Sequence, residues 1–154
     1  MAEINSIHKT LELRTEQDTK DLAAFIAPLL LPGDVICLYG NLGSGKTFFT
    51  SALARELGVD EPVDSPSFVL LKEYQGGRFP LYHLDLYRLK HESEFLDLGF
   101  TDFMESGVTL IEWPEIAIGL IPESIMNLSL RFSYDGRDRF VEIIAKDRFS
   151  AYFI

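Results

Sequence analysis

The chain has 154 residues, 47% of them apolar and 25% charged, enough for one globular domain with a buried core, residues 1–154. Lys and Arg number 14 against 24 Asp and Glu, and the net charge of −10 excludes the generic phosphate-driven nucleic-acid binding that needs a cationic face. The single cysteine, Cys37, excludes an internal disulfide. No apolar run approaches the ~20 residues that cross a bilayer or begins the chain as a secretory signal, so a cytoplasmic setting is expected. "KTLELR" alternates polar and apolar residues and reads as a short strand. In "TEQDTKDLAAFIAPLL", Thr15 is the expected N-cap with Asp18 three residues on, and Leu22, Phe25, Ile26, Leu29 and Leu30 form the apolar stripe of a helix. Pro32-Gly33 is expected to stop it. "DVICLYG" reads as a strand buried on both faces, with Cys37 an inert thiol inside it.

A glycine loop follows, and then a helix from Lys46 to about Leu57, ended by Gly58. "SFVLLKEYQG" and "FPLYHLDLYRL" read as an antiparallel pair of strands joined at Gly76-Gly77. The acidic segment from His91 to Glu105 is partly helical, with Gly99 as a break. "GVTLIEW" is another apolar strand, stopped by Pro114. "SIMNLSLRFSYDGRDRFVEIIA" reads as a hairpin turning at Asp135-Gly136. Together these elements predict an α/β fold, a P-loop NTPase-like domain with a mixed, partly antiparallel sheet flanked by helices.

Gly40, Gly45, Lys46 and Thr47 satisfy the G-x-x-x-x-G-K-[ST] spacing, with an apolar strand before the loop and an amphipathic helix after it. Small side chains at Gly40, Gly43, Ser44 and Gly45 let backbone amides curl around a phosphate. The helix starting at Lys46 turns its positive end to the same place, the Lys46 ammonium reaches the outer phosphates, and the Thr47 hydroxyl can ligate Mg²⁺. The loop is therefore expected to hold a nucleoside triphosphate rather than to be a plain turn with a surface lysine.

Hydrolysis also needs an acid near the metal and a group that positions water. Asp85 sits between leucines in "HLDLY", and Glu112 closes "VTLIEW". The plainer alternatives are an Asp85–Arg88 salt bridge and a solvated strand end for Glu112. "VDSPSFVL", with Ser65, Pro66 and Ser67, lies where nucleotide-sensing switch loops order around a γ-phosphate, or is an ordinary loop. His83 reads as a core histidine, and His8 and His91 belong to no constellation. Trp113 reads as core or pocket wall, and the Phe48-Phe49 pair as helix packing. No N-K-x-D sequence is present to read guanine, which favours ATP.

"GNLGSGKT", "SPSFVLLKEY", "HLDLYRL", "DLGFTDF" and "IEWPE", in that order, resemble the TsaE family (formerly YjeE), small bacterial P-loop ATPases of tRNA threonylcarbamoyladenosine synthesis. The likeness runs from about Thr10 to the Gly136-Arg137 hairpin. "HLDLYRL" with "IEWPE" is its more specific part, since many ATPases share the loop.

The resemblance implies a Mg²⁺-dependent ATPase, weak alone, acting with TsaD and TsaB homologues. TsaD attaches the threonylcarbamoyl group, and TsaB is its platform. ATP hydrolysis would reset that complex, with no group transfer by this chain and only indirect contact with tRNA. It also implies that Asn41, Leu42, Gly43, Ser44, Gly45, Lys46, Thr47 and Phe48 line the nucleotide, with Lys46 on the outer phosphates. Thr47 and Glu112 would hold Mg²⁺, and Asp85 would position water or act as base. Ser67 would belong to the switch loop, Trp113 would neighbour the nucleotide, and Arg137 would reach it from the hairpin. Glu16 and Thr19 would border the base. Three residues depart from the family pattern: Asn41 where an acid is common, Phe48 where a second threonine is common, and Ser67 where threonine is usual. The small-molecule kinases and non-hydrolysing ATP-sensing modules are the other classes that fit the loop. The acidic stretch from Glu94 to Asp102 is the expected partner surface.

Overall fold

A computed structural model describes residues 6–63, 70–75, 77–122 and 125–153. These residues form a seven-stranded sheet of β1 (Ser6–Glu12), β2 (Val35–Tyr39), β3 (Leu71–Tyr74), β4 (Leu81–Asp85), β5 (Val108–Glu112), β6 (Leu128–Tyr134) and β7 (Arg139–Lys146). Its order is β1-β7-β6-β2-β5-β4-β3. β2 runs parallel to β5 and β6, and β4 is parallel to β5, while β3, β7 and β1 add antiparallel edges. The expected mixed sheet is present, including the β3–β4 pair and the β6–β7 hairpin. β1 lies beside β7, a pairing of chain ends that no local pattern announces.

Among the described residues four α-helices flank the sheet: α1 (Glu16–Ile26), α2 (Lys46–Glu56), α3 (Glu92–Asp97) and α4 (Phe100–Phe103). α1 begins at the expected capping box, where the Thr15 hydroxyl accepts from the Asp18 amide (3.2 Å) and Asp18 Oδ2 accepts from the Thr15 amide (3.1 Å). It ends sooner than its apolar stripe predicts. Pro28 has no N–H to continue the ladder, so the chain tightens into a 3-10 turn over Ala27–Leu29, and Pro32-Gly33 follows in a separate turn. Leu22, Ile26 and Leu30 are buried, whereas Phe25 is exposed and meets Phe153 edge-on with ring centroids 5.5 Å apart. Gly99, at φ 69°, separates α3 from α4 as expected.

Two cores cover the two faces of the sheet. Ile36, Leu38, Leu110, Leu130 and Ile143 pack with Ile26, Phe49 and Leu53 of α1 and α2. Val35, Cys37, Leu84 and Ile111 pack on the opposite face with Phe95 of α3 and Phe100 of α4. β4 and β5 are buried at every position, which explains their continuous apolar runs. β6 and β7 alternate, because helices cover only one of their faces. Cys37 is fully buried, and that burial pushes its thiol up to about 12.

The parallel strands β2, β4, β5 and β6 all end at one edge. The antiparallel sense of β1 and β7 brings the end of β1 and the start of β7 to the same edge. Ligands of open α/β sheets bind outside such carboxyl ends. At the opposite edge, buried Asp34 accepts from the Leu31 amide (2.7 Å), Asn127 Nδ2 (3.0 Å) and the Arg148 guanidinium (2.5 and 3.2 Å). No helix among the described residues is long and apolar enough to cross a membrane.

Candidate active site

The glycine loop leaves β2 at Tyr39 and enters α2 at Lys46. Gly40 has φ 139°, and a Cβ there would lie 2.6 Å from Ser44 Oγ and 2.7 Å from the Phe132 carbonyl oxygen. No larger residue fits without moving β6 or the loop. Gly45, the residue before α2, has φ 116°, also in the region glycine tolerates. The loop thus curls tightly with its first helical amides turned outward. Ser44 Oγ is buried inside it with no hydrogen-bond partner among the described residues.

Lys46 is only 5% exposed. Its Nζ donates to the Gly40 carbonyl (2.5 Å) and stands 3.8 Å from the centroid of the Trp113 ring. Burial lowers its affinity for the proton, and the carboxylates of Glu112, Asp85 and Glu115 oppose that shift.

Two of those carboxylates are placed by strand register. Asp85 ends β4 and Glu112 ends β5, and the two residues are direct partners in the parallel ladder. Both are buried, at 4% and 2% exposure. Asp85 Oδ1 accepts from the Tyr87 amide (3.0 Å). Glu112 Oε2 lies 2.6 Å from His83 Nε2, so the plainer alternative of a solvated strand end gives way to a buried, partnered carboxylate. His83, two residues before Asp85 on the same face of β4, is fully buried. It is a core histidine, and it also positions an acid of the site. Trp113 turns the chain immediately after Glu112 in the left-handed region (φ 59°), a conformation that bulky residues rarely adopt. Its ring packs on Tyr87 with centroids 4.8 Å apart.

Two adjoining clefts open beside the loop. One, of about 270 Å³, is lined by Leu42, Gly43, Gly45, Lys46, Thr47, Phe48, Asp85, Glu112, Trp113 and Arg139. The other, of about 300 Å³, runs along Leu13–Glu16, Thr19, Ser44, Gly45, Phe48, Phe132 and Arg139. Twelve of the expected residues therefore converge here: Glu16, Thr19, Leu42, Gly43, Ser44, Gly45, Lys46, Thr47, Phe48, Asp85, Glu112 and Trp113. Phe49 turns into the core, while Phe48 lines both clefts. Asn41 lines neither, but its carbonyl closes the loop by accepting from the Ser44 amide (3.1 Å). Arg137 lies in the hairpin turn, where its amide donates to Asp135 Oδ1 (3.1 Å), and it lines neither cleft. Ser65 and Ser67 fall outside the described residues. His83 and Arg139, with Leu13, Arg14, Thr15 and Phe132 along the second cleft, were not assigned to the site by the sequence motifs.

The residues present fit a magnesium nucleotide. Outward amides, a helix N-terminus and a buried ammonium suit phosphate oxygens. The Thr47 hydroxyl and Glu112 carboxylate are the hard oxygen donors that Mg²⁺ takes. Among the described residues, no three His, Cys, Asp or Glu side chains cluster as a metal site, so a cation here would complete its shell with phosphate or water oxygens.

Known proteins resemble this chain along most of its length. The sequence profile of the threonylcarbamoyl adenosine biosynthesis protein TsaE matches residues 13–140. The tRNA threonylcarbamoyladenosine biosynthesis protein TsaE of Bacillus subtilis is 40% identical over 130 residues, 82% of this chain and 81% of that protein. The protein of the same name from Treponema pallidum is 41% identical over 124 residues, 80% of this chain and 91% of the relative. A crystal structure of Bacillus subtilis YdiB superposes with a TM-score of 0.70 at 29% identity, covering 98% of this chain and 93% of that one. With the profile spanning most of the sequence and the P-loop fold shared, the chain belongs to the TsaE family.

Proposed function

We propose that this chain binds ATP with Mg²⁺ beneath the glycine loop and hydrolyses it, as the ATPase subunit of tRNA threonylcarbamoyladenosine synthesis. The observation that carries this reading is the buried Lys46 ammonium, bonded to the Gly40 carbonyl and faced by two buried carboxylates that end neighbouring strands. Loop amides and the positive end of α2 receive the phosphates, and Lys46 neutralises their outer oxygens. Thr47 and Glu112 hold Mg²⁺, which when bound neutralises charge on the phosphate oxygens. His83 fixes the Glu112 carboxylate for that task. Asp85, oriented by the Tyr87 amide, positions the attacking water or takes its proton. Glu16 and Thr19 border the nucleoside, Trp113 walls the phosphate side, and Ser67 adds a switch hydroxyl.

The relatives are named for tRNA threonylcarbamoyladenosine biosynthesis, and we place this chain in the same pathway in the cytoplasm. It acts on TsaD and TsaB homologues, resets their complex by hydrolysis, transfers no group itself and meets tRNA only through them. A net charge of −10 suits a subunit that docks on proteins. The acidic stretch from Glu94 to Asp102, with Leu96 exposed at its centre, is the docking side we assign.

The test is phosphate release from ATP and Mg²⁺ by the chain alone, with purified TsaB and TsaD, and by the Glu112→Ala variant. The expected result is slow turnover alone, stimulation by the pair, and loss in the variant. Turnover that ignores the pair and rises with a small-molecule acceptor would make the chain a kinase. Tight ATP binding without turnover in any mixture would make it a nucleotide sensor.

A further inference from the structure

The ammonium of Lys46 stands 3.8 Å from the centroid of the Trp113 ring while its Nζ donates to the Gly40 carbonyl (2.5 Å). With these neighbours Lys46 is only 5% exposed. A buried ammonium is costly without partners, and the π face of an indole offsets part of that cost. The same contact stands in the way of a phosphate. A phosphate oxygen that bonds an ammonium comes within about 3 Å of its nitrogen, closer than the ring centroid lies here. An anion gains nothing against the negative face of an aromatic ring, so ring and phosphate compete for one charge.

The ring is tied to the other charged groups of the cleft. Trp113 follows Glu112 directly and turns the chain at φ 59°. It packs on Tyr87 with centroids 4.8 Å apart, and the Tyr87 amide donates to Asp85 Oδ1. The indole thus touches Lys46, adjoins Glu112 along the chain and reaches Asp85 through Tyr87.

We propose that Trp113 is a positioning residue that caps Lys46 in the nucleotide-free chain, its ring holding the ammonium at the Gly40 carbonyl and giving it up when a phosphate arrives. The proposal rests on the reading of the site as an ATP site and deepens it. Because the ring belongs to the residue after Glu112 and packs on the residue that orients Asp85, its release links the arrival of phosphate at Lys46 to both carboxylates.

Trp113 is the only tryptophan of the chain, so its emission reports the contact directly. A charge 3.8 Å from an indole shifts that emission, and the full chain without nucleotide should therefore differ between the parent and K46M. Saturating Mg²⁺ and ATP should move the parent's emission toward that of free K46M. Calorimetric titration with ATP in Mg²⁺ then separates a cap from a wall. A ring that competes with phosphate lowers affinity, so W113L should bind ATP about three- to ten-fold more tightly than the parent. W113F keeps a π face and should stay within about two-fold of the parent. Thermal midpoints of K46M, W113L and W113F report folding separately from binding. Equal emission from the free parent and free K46M would overturn the cap while the ATP reading stands. Parent emission that ATP saturation leaves unchanged would overturn the release, again with the ATP reading intact. Weaker ATP binding by W113L would make the ring a wall of the nucleotide and overturn the competition. A parent that binds no ATP would bring down the ATP reading and the release together.

Discussion

Replacing His83 with leucine isolates one hydrogen bond at the centre of the site. The ring is fully buried and its Nε2 lies 2.6 Å from Oε2 of Glu112, which is itself buried. Leucine fills a similar volume, so the cavity contribution is small. What is lost is a donor to a carboxylate that water does not reach. Hydrogen bonds to charged groups contribute about 1.5–3 kcal/mol, and removing one member of a buried pair costs about 3–5 kcal/mol. His83 Nδ1 has no partner among the described residues and already costs the parent something, so the lower part of that range applies. We expect H83L to lose about 3 kcal/mol. With a urea dependence of about 2 kcal/mol per molar for a chain of this size, the unfolding midpoint should fall by about 1.5 M.

The double variant H83L/E112L separates this from simple repacking. If the pair is the cause, removing both polar partners should recover about 2 kcal/mol relative to the sum of the single losses. Mg²⁺ titrations of ATP binding supply a second readout: H83L should need more Mg²⁺ for half-saturation, with H83Q between it and the parent. A loss below about 1 kcal/mol that adds linearly with E112L would refute the role given to His83.

Three further outcomes follow from other parts of the chain. Gly40→Ala forces a methyl against Ser44 Oγ and the Phe132 carbonyl at a φ of 139°, so calorimetry should find ATP binding abolished and the thermal midpoint lowered. Asp34→Ala leaves the Leu31 amide and Asn127 Nδ2 without their acceptor and the half-exposed Arg148 guanidinium with only the Leu29 carbonyl, and should cost about 2 kcal/mol in urea while ATP affinity is unchanged, because Asp34 precedes β2 and the loop follows it. Lys46 holds its proton less tightly folded than unfolded, so between its lowered value and the ordinary 10.5 the unfolded state binds more protons. Stability should rise with pH across that window in the parent, and urea midpoints of Lys46→Met should lack this component.

The sequence carried what depends on neighbours along the chain. The spacing from Gly40 to Thr47, the Thr15–Asp18 capping box and the turn at Asp135-Gly136 are each set within a few residues, and each formed as read. Features set by strand register were not legible in the same way. A solvated strand end stayed open as the alternative for Glu112 because nothing nearby shows that His83, 29 residues earlier, lies in the adjacent strand and on the same face. The Asp34 network joins residues 93 and 114 positions apart, and β1 pairs with the far end of the chain. Arg137 and Arg139 differ by two positions in "DGRDR", and only the hairpin decides that one belongs to the turn and the other to a strand face. Phe25 fits the apolar stripe but lies at the edge of the buried face of α1, half exposed and covered in part by Phe153 from the far end of the chain.

The two ends of β2 treat buried charge in opposite ways. Before the strand, Asp34 has its oxygens filled by Leu31, Asn127 and Arg148, and such a group adds rigidity without needing anything from outside. After the strand, Lys46 donates to the Gly40 carbonyl, Ser44 Oγ has no partner among the described residues, and Asp85 and Glu112 bring two carboxylates to neighbouring strand ends. A buried polar group left short of partners is costly, and a fold keeps such a group where a bound one offsets the cost. The helix that starts at Lys46 sets the sign of that group, since its free amides favour an anion. The nearby carboxylates add that the anion must come with a cation. A magnesium nucleotide meets both conditions, and inorganic phosphate alone meets only the first. The resulting expectation is that Mg²⁺ and ATP raise the thermal midpoint together by more than the sum of their separate effects. If ATP without Mg²⁺ stabilised the chain equally well, the carboxylates would have to be serving something other than the metal.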